Sequence, residues 1–442
     1  MDSEVQVLES SFVSPSEPTP TEGLWVSPLD LVLANRGHTP TVYFYSSNDV
    51  AAADFFDVAR LKDAMAKALV AFYPLAGRLG VDSDGRIEIS CNGEGALFVV
   101  ARAAHLTIED VKDLKPSPEL RRQFVPRIEP SSVILAVQVT FFKCGGVALG
   151  TALHHVAIDA SSAFHFFQTW SAFSRDDDRA AVELPYHDRT LLRARSPPTV
   201  HPDALTMFYP LITYIEPSGP LAGEVFTISR DQIASLKRLT CGGDGATTST
   251  FCAVSALLWQ CVCIARRLPP NSEARLDILA NIRRRVKPPL PDRYFGNALV
   301  RLGVTGAAGD IVSEELASVA GRIRRAIGRM DDGDGDGDMV RSAIDYYEMA
   351  VAGKEEKDDD GARRSTCTLP ETELQVVSWL GMPMYDADFG WGKPLVMSRA
   401  ESTRGGIVHL MSDGTAGGGV RVLVCMEARN VKELERLLYA KL

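Results

Sequence analysis

Short apolar runs of strand length alternate with longer segments of helical periodicity along the chain. β-Branched and aromatic residues, bounded by polar or glycine-containing segments, predict strands at 41–45 (TVYFY), 87–90, 97–100 and 133–142 (VILAVQVTFF). Apolar residues at helical spacing predict helices at 58–72 and 250–267, and strand-like runs return at 276–282 and 420–426 (VRVLVCM). This mixture predicts an α/β (mixed α+β) fold.

The 442 residues exceed what one hydrophobic core usually supports, so we expect two domains. The segment 193–202 reads RARSPPTVHP, and its prolines remove backbone donors and restrict their neighbours. We therefore expect an N-terminal domain over 1–195, a crossover loop over 196–220 and a C-terminal domain over 221–442.

Composition excludes several classes of partner. A net charge of −10 argues against a broad nucleic-acid surface, which requires basic residues to displace phosphate counterions. The acidic, polar N-terminus does not resemble a secretory signal, and the longest apolar run, 251–264, is too short to span a membrane. The eight cysteines contain no CxxC pair, so no zinc or redox motif is indicated. We expect a cytoplasmic protein without a metal.

An acidic segment lies at 331–338 (DDGDGDGD), and a charged run follows at 354–360. Low apolar content and like charge favour a solvated loop. The first half of an EF-hand pattern is present, but its twelfth position is Ala343, which has no carboxylate to bind calcium. We therefore expect no calcium site.

Several catalytic signatures are absent from the sequence. It contains no GxSxG and no HExxH, and Gly392-Lys393 lacks the spacing of a phosphate-binding loop. His155 and Asp159 remain, at the end of an apolar segment and before a helical one, where a group can be both rigid and accessible. By itself this pattern leaves two interpretations open: a catalytic histidine, or a core histidine followed by an aspartate that caps a helix.

A second signal lies at 385–394, which reads YDADFGWGKP. Together, HxxxD at 155–159 and DFGWG at 388–392 resemble the motifs of the BAHD family of plant acyl-CoA-dependent acyltransferases. Five further segments look like family segments in the expected order: AFYPLAGRL (71–79), DGRIEISCNGEG (84–95), HDRTLLRARSPP (187–198), SALLWQCVCIAR (255–266) and YFGN (294–297). The resemblance thus covers nearly the whole chain.

The resemblance implies two chloramphenicol-acetyltransferase-like domains with a channel between them. It also implies an enzyme that uses an acyl-CoA as co-substrate and needs no cofactor, and we expect this enzyme to be a monomer. His155 would act as the general base that deprotonates the acceptor, a role suited to an imidazole. Asp159 would turn away from the channel and pair with an arginine, for which Arg283 is our choice. His154 should face the opposite side, since successive strand residues alternate.

The donor side is expected around DFGWG. Asp388, Gly390, Trp391 and Gly392 would support the CoA site structurally, which hardly differs from the simpler interpretation that Trp391 is a buried aromatic anchoring a turn. CoA phosphates require cations or backbone donors. The candidates for binding them are Ser249, Thr250, Arg284 and Arg285.

The acceptor side is expected at Thr39, Thr41 and Tyr43, within HTPTVYFY, although these are equally typical of ordinary strand residues. The chain also resembles shikimate and quinate hydroxycinnamoyltransferases, in which a WxRLP motif precedes DFGWG and its arginine meets the acceptor carboxylate. Here Gly381 stands at the position of that arginine. A carboxylate without a cation bears a large desolvation cost, so we expect transfer of a hydroxycinnamoyl or other aromatic acyl group to an amine such as putrescine, agmatine or tryptamine. O-acylation of shikimate, quinate or glycerol is the alternative, and a non-enzymatic acyl-CoA or partner-binding protein is another.

Overall fold

The computed structural model describes residues 5–47, 55–113, 115–241, 247–331, 339–353, 367–415 and 417–442. They form two compact units. The first contains the described residues within Met1–Arg193, Pro291–Asn297 and Met382–Glu401, and the second contains those within Ala194–Leu290, Ala298–Gly381 and Ser402–Leu442.

The strands were assigned from backbone pairing in the described residues. They are β1 (Gln6–Val13), β2 (Gly23–Trp25), β3 (His38–Tyr45), β4 (Arg78–Val81), β5 (Ile87–Ser90), β6 (Ala96–Ala103), β7 (Leu135–Phe142), β8 (Val147–His154), β9 (Leu221–Ile228), β10 (Glu273–Asn281), β11 (Leu299–Ala307), β12 (Cys367–Thr368), β13 (Glu373–Ser378), β14 (Val396–Arg399), β15 (Arg404–Gly405), β16 (Ile407–Ser412) and β17 (Val420–Glu427).

The helices range from one turn to nearly five turns. They are α1 (Pro28–Leu31), α2 (Val58–Ala71), α3 (Ile108–Val111), α4 (Pro118–Phe124), α5 (Ala160–Asp176), α6 (Pro202–Met207), α7 (Arg230–Leu239), α8 (Thr250–Ala265), α9 (Ala308–Ser313), α10 (Leu316–Gly328), α11 (Met339–Ala352) and α12 (Ala428–Ala440).

The first unit is built on a six-stranded sheet in the order β1-β6-β7-β8-β3-β14, beside a three-stranded sheet in the order β2-β5-β4. Only β6 and β7 run parallel in the larger sheet. Phe44 packs against Phe124 on one face of β3, whereas Tyr43 packs against Phe167 of α5 on the other. Because both faces are covered, residues 40–45 of β3 and all of β8 are buried without alternation.

The second unit has a six-stranded sheet in the order β11-β10-β13-β16-β17-β9 and a short pair, β12-β15. Helix α8 is apolar on all sides because it packs against α7, α9, α10, α12 and β13. Arg266 at its C-terminal end forms a buried ion pair with Glu427. No helix in the described ranges has the length and apolar character needed to cross a membrane.

The predicted elements are confirmed with shifts of a few residues at their ends, and the chain is a mixed α/β protein with two sheet-rich units. The domain ranges expected from the sequence are continuous, whereas each compact unit is discontinuous. Residues 291–297 and 382–401 lie in the second half of the chain but pack within the first unit. Local composition does not reveal such long-range packing. The expected acidic loop falls largely on 332–338 and 354–360, outside the described residues.

Candidate active site

His155 is the first residue after β8, a central strand of the first sheet. Strand β8 pairs with β3 in a register that places His38 opposite His154. The next backbone N–H, that of His155, donates to the carbonyl of Gly37 at 2.9 Å. The backbone of His155 is therefore fixed by an extension of the sheet, while its side chain lies beyond the strand end.

The two adjacent histidines have different surroundings. His154 is 6% exposed; its Nδ1 accepts the N–H of Val156 at 3.3 Å, and its ring meets the ring of His38 edge-on at 4.9 Å. Burial, followed by the nearby His38 and His155, lowers the pKa of His154 to about 3. His154 is thus held within the packed sheet.

His155 is half-buried as a residue, and its ring Nδ1 lies buried with no hydrogen-bond partner in the described part of the chain. Desolvation is the main reason that the pKa of His155 falls to about 4, and the charges of Arg36 and Arg399 lower it further. Its own backbone carbonyl and Asp159 act in the opposite direction. His155 is therefore a neutral imidazole at pH 7.

Asp159 is the N-cap of α5, and its Oδ1 accepts the N–H of Ser162 at 3.1 Å. It is 2% exposed. Since Nδ1 of His155 has no partner among the described residues, Asp159 does not hold that nitrogen as a charge-relay carboxylate would. Arg283 belongs to the second unit, where its backbone N–H donates to Oδ1 of Asn281 at 3.0 Å. The pairing of Asp159 with Arg283 stays a prediction.

A buried polar cluster supports the turn that follows β8. Asp30 and Arg189 form an ion pair at 3.3 Å with fully buried side chains. Asn297 donates to Asp30 from its backbone N–H at 2.9 Å and from its side-chain amide at 2.8 Å. That amide also donates to the carbonyl of His155 at 2.9 Å. Sequence analysis gave these three residues no role.

The predicted acceptor residues share one face of β3. The hydroxyls of Thr41 and Thr151 are hydrogen-bonded at 2.5 Å, and Thr39 pairs with Leu153, two residues before His155. The hydroxyl of Tyr43 is buried without a hydrogen-bond partner in the described chain, and burial raises the pKa of this phenol. The three residues therefore lie on one face of β3, opposite the β8 residues Leu149, Thr151 and Leu153, which precede His155 at two-residue spacing.

Gly381 belongs to the second unit and adopts φ +74, a left-handed conformation that favours glycine. A Cβ at this position would meet no described atom within 4 Å. Space therefore does not exclude a side chain at Gly381, whereas the backbone conformation disfavours one.

The DFGWG segment folds around its aspartate. Oδ1 of Asp388 accepts the N–H groups of Gly390 at 2.9 Å and Gly392 at 3.0 Å, and both glycines have φ near +100. Trp391 stacks on Phe56 with ring centroids 5.2 Å apart, and the guanidinium of Arg60 lies 4.6 Å from its ring. These contacts are made within the first unit, although the sequence-based ranges assign DFGWG to the C-terminal domain.

The candidate CoA-binding residues all lie in the second unit. Ser249 caps α8 by accepting the N–H of Cys252 at 3.1 Å, and Thr250 begins that helix. Arg284 is exposed, whereas Arg285 pairs with Asp331 at 2.7 Å. Of the two arginines, Arg284 is therefore the more accessible to a phosphate. Among the described residues, no group of three or more His, Cys, Asp or Glu side chains could hold a metal ion.

Comparison with known proteins identifies the family. The model of the Transferase family matches residues 3–440. The chain is 42% identical to putrescine hydroxycinnamoyltransferase 1 of Oryza sativa subsp. japonica, covering 99% of both chains. It is 38% identical to shikimate O-hydroxycinnamoyltransferase of Nicotiana tabacum, covering 98% of this chain and 99% of the relative. The solved structure of vinorine synthase shares the fold, with a TM-score of 0.76, 24% identity and coverage of 99% and 98%. The chain therefore belongs to the BAHD family of acyl-CoA-dependent acyltransferases.

Proposed function

We propose that this enzyme transfers a hydroxycinnamoyl or related aromatic acyl group from CoA to an amine, with His155 as the general base. The observation that carries the proposal is the imidazole of the half-buried residue that follows β8, fixed through its backbone and uncharged at pH 7. An uncharged imidazole can accept a proton, whereas an imidazolium cannot.

The reaction needs no acyl-enzyme, because a thioester is already activated. His155 takes a proton from the acceptor as the acceptor nitrogen forms a bond to the thioester carbonyl carbon. The tetrahedral oxyanion then collapses and breaks the carbon–sulfur bond, and the CoA thiolate leaves and takes up a proton from the imidazolium. Nδ1 is buried, so the transfer is assigned to Nε2.

The pKa of His155 also has a cost for catalysis. A base with a pKa of about 4 is always available at neutral pH, but it attracts a proton more weakly than one with a pKa near 7. Asp159 reduces this disadvantage because its negative charge favours the imidazolium. We propose that Asp159 otherwise acts structurally, through the N-cap of α5 and through Arg283.

The amine acceptor is proposed from Gly381. The resemblance to shikimate-type enzymes implies an arginine at this position, within WxRLP. The glycine here removes the cation that would neutralise an acceptor carboxylate. Similarity to the rice putrescine hydroxycinnamoyltransferase supports the same choice. Similarity to the tobacco shikimate O-hydroxycinnamoyltransferase keeps O-acylation as the second candidate. Thr39, Thr41 and Tyr43 are proposed to line the acceptor side.

The donor is proposed to bind through Ser249, Thr250, Arg284 and Arg285. DFGWG would support the donor side by holding its own loop rigid against the first unit. The enzyme would be a cytoplasmic monomer that acts on small molecules and uses no cofactor besides its acyl-CoA co-substrate.

The test is a substrate panel. Purified enzyme is incubated with p-coumaroyl-CoA and putrescine, agmatine, tryptamine, shikimate or glycerol, and free thiol is measured over time. We expect an amine to give the highest kcat/KM. Preference for shikimate would overturn the acceptor assignment, and thiol release no faster than hydrolysis with every acceptor would favour a binding protein.

A further inference from the structure

The three backbone carbonyls directly after β8, those of residues 155–157, accept hydrogen bonds from two buried side chains. Asn297 donates from Nδ2 to the carbonyl of His155 at 2.9 Å. Arg189 donates from Nη2 to the carbonyl of Ala157 at 2.5 Å. Both side chains also approach the carbonyl of Val156 at 3.4 Å. The turn that carries His155 is therefore held at each of its three peptide units.

Asp30 orients both donors. Its Oδ1 accepts two hydrogen bonds from Asn297, and its Oδ2 lies 3.3 Å from Nη1 of Arg189. Oδ2 also accepts the backbone N–H and the hydroxyl of Ser27, each at 2.8 Å. Asp30 itself is fully buried at the third position of α1. A capping box thus supplies a fixed carboxylate to a site 125 residues further along the chain.

The backbone next to Asn297 is shaped to admit Arg189. Gly296 has φ +151, and a Cβ there would lie 3.1 Å from Nε of Arg189. The N–H of Gly296 donates to the hydroxyl of Ser162 at 3.1 Å, and Ser162 lies in the first turn of α5. The cluster therefore joins the segment 294–297 both to the turn at His155 and to the helix that follows it.

A buried arginine cluster can stabilise the fold without binding the carbonyls that follow His155. The second unit contains a closely similar cluster, in which Arg266 binds the carboxylate of Glu427 and the carbonyls of Glu371 and Glu373, each at 2.8 to 3.1 Å. Both arginines are buried, and both bind one carboxylate and two carbonyls. They differ in that the carbonyls bound by Arg189 belong to the two residues after His155. Equivalent substitutions in the two clusters can therefore distinguish an effect on protein stability from an effect on catalysis by His155.

We propose that Arg189 and Asn297, oriented by Asp30, are positioning residues that set the location of the His155 imidazole through the carbonyls of its turn. The proposal rests on the proposed role of His155. A rigid support matters because a displacement of about 1 Å in a catalytic group can reduce turnover about 10²-fold. None of the three side chains needs to touch a substrate.

The test compares Arg189→Lys with the matched control Arg266→Lys. Lysine keeps the charge but lacks the planar, forked arrangement of donors that the guanidinium uses to reach separate acceptors. Initial rates with p-coumaroyl-CoA and putrescine are measured per folded enzyme, together with the thermal midpoint. We expect Arg189→Lys to lower kcat about 10²-fold with KM for both substrates nearly unchanged. Arg266→Lys should lower the midpoint similarly and leave kcat at the wild-type value.

Asn297→Ala provides a second variant if Arg189→Lys does not fold, since it leaves the Asp30–Arg189 pair in place. It should lower kcat about tenfold or more without raising KM. A double-mutant cycle then asks whether the cluster acts through His155. In a His155→Ala background, Asn297→Ala and Arg189→Lys should cause no further loss of the residual rate.

Two results would overturn the proposal: a kcat per folded enzyme that is equal in Arg189→Lys, Asn297→Ala and Arg266→Lys, or a full further loss in the His155→Ala background. Wild-type turnover by His155→Ala itself would instead overturn the proposed role of His155. The failure of one proposal is therefore distinguishable from the failure of the other.

Discussion

The side-chain amide of Asn297 donates a hydrogen bond of 2.9 Å to the backbone carbonyl of His155, 142 residues earlier in the chain. This contact joins two segments that sequence analysis recorded only as separate family-like stretches. It also shows why the first compact unit contains 291–297: these residues complete the support of the turn after β8. The location of the proposed base is thus determined by long-range packing as well as by the strand that precedes it.

Asp159→Asn should reduce stability more than an exposed substitution would. Asparagine can keep the N-cap hydrogen bond of α5, so at this helix end only the interaction of the charge with the helix dipole is lost, which is worth about 0.3 to 1 kcal/mol. If Asp159 also pairs with Arg283, the free energy of unfolding should fall by about 3 to 5 kcal/mol. Denaturant unfolding of Asp159→Asn, Arg283→Gln and the double variant measures the coupling. Normal stability with lost turnover would indicate direct catalysis by Asp159 instead.

Gly381→Arg should shift acceptor preference toward shikimate. The introduced cation would offset the desolvation of an acceptor carboxylate, and a Cβ at this position would meet no described atom within 4 Å. Because φ is +74, any side chain introduces backbone strain, so Gly381→Ala is the matched control. The ratio of kcat/KM for shikimate to that for putrescine should rise at least about tenfold in Gly381→Arg relative to Gly381→Ala, as one added charged hydrogen bond predicts. An equal ratio in the two variants would remove Gly381 from the account of specificity.

The pH dependence of kcat/KM should report the low pKa of His155. With an amine acceptor, the rate should rise about tenfold per pH unit between pH 5 and 8, because of the two groups that exchange the proton only the amine changes its protonation there. A steeper dependence should begin only near pH 4, where His155 also becomes protonated and cannot act as a base. A change of slope near pH 6.5 would show that His155 titrates as an exposed histidine does. The profile is measured with putrescine well below KM.

Trp391→Ala should affect stability more than chemistry. The substitution removes the stacking on Phe56 and the contact with the Arg60 guanidinium. Because Trp391 is half-buried, the free energy of unfolding should fall by about 2 kcal/mol, less than for a fully buried tryptophan. Turnover at saturating substrates, measured per folded enzyme, should change less than about threefold. A large loss of kcat without loss of stability would assign Trp391 a direct role in transfer.

The local elements were predictable, and the long-range support of the site was not. Apolar runs located β3, β7 and α8, because burial is recorded in the residue types of each segment. The alternation rule also separated His154 from His155. Asp30 reads in sequence as an ordinary capping-box residue in Ser27-Pro-Leu-Asp30, and local sequence does not reveal that its carboxylate is buried against Arg189.

DFGWG illustrates the same limit. Its glycines predicted tight turns, and both Gly390 and Gly392 adopt positive φ. Its place in the fold depends on Trp391 and Phe389 packing against Phe56 and Trp170, which lie more than 200 residues earlier. The residue types of the motif therefore predicted its local conformation, but its position in the sequence did not predict which compact unit contains it.

The most direct measurement compares His155→Ala with His154→Ala, using thiol release from p-coumaroyl-CoA in the presence of putrescine. His155→Ala should reduce transfer to a small residual rate while the thermal midpoint stays near that of the wild type, because this residue is only half-buried. His154→Ala should retain most of the turnover per folded enzyme, although loss of a buried ring lowers its stability. Wild-type turnover in His155→Ala, or loss of transfer in folded His154→Ala alone, would contradict the assignment of His155 as the base.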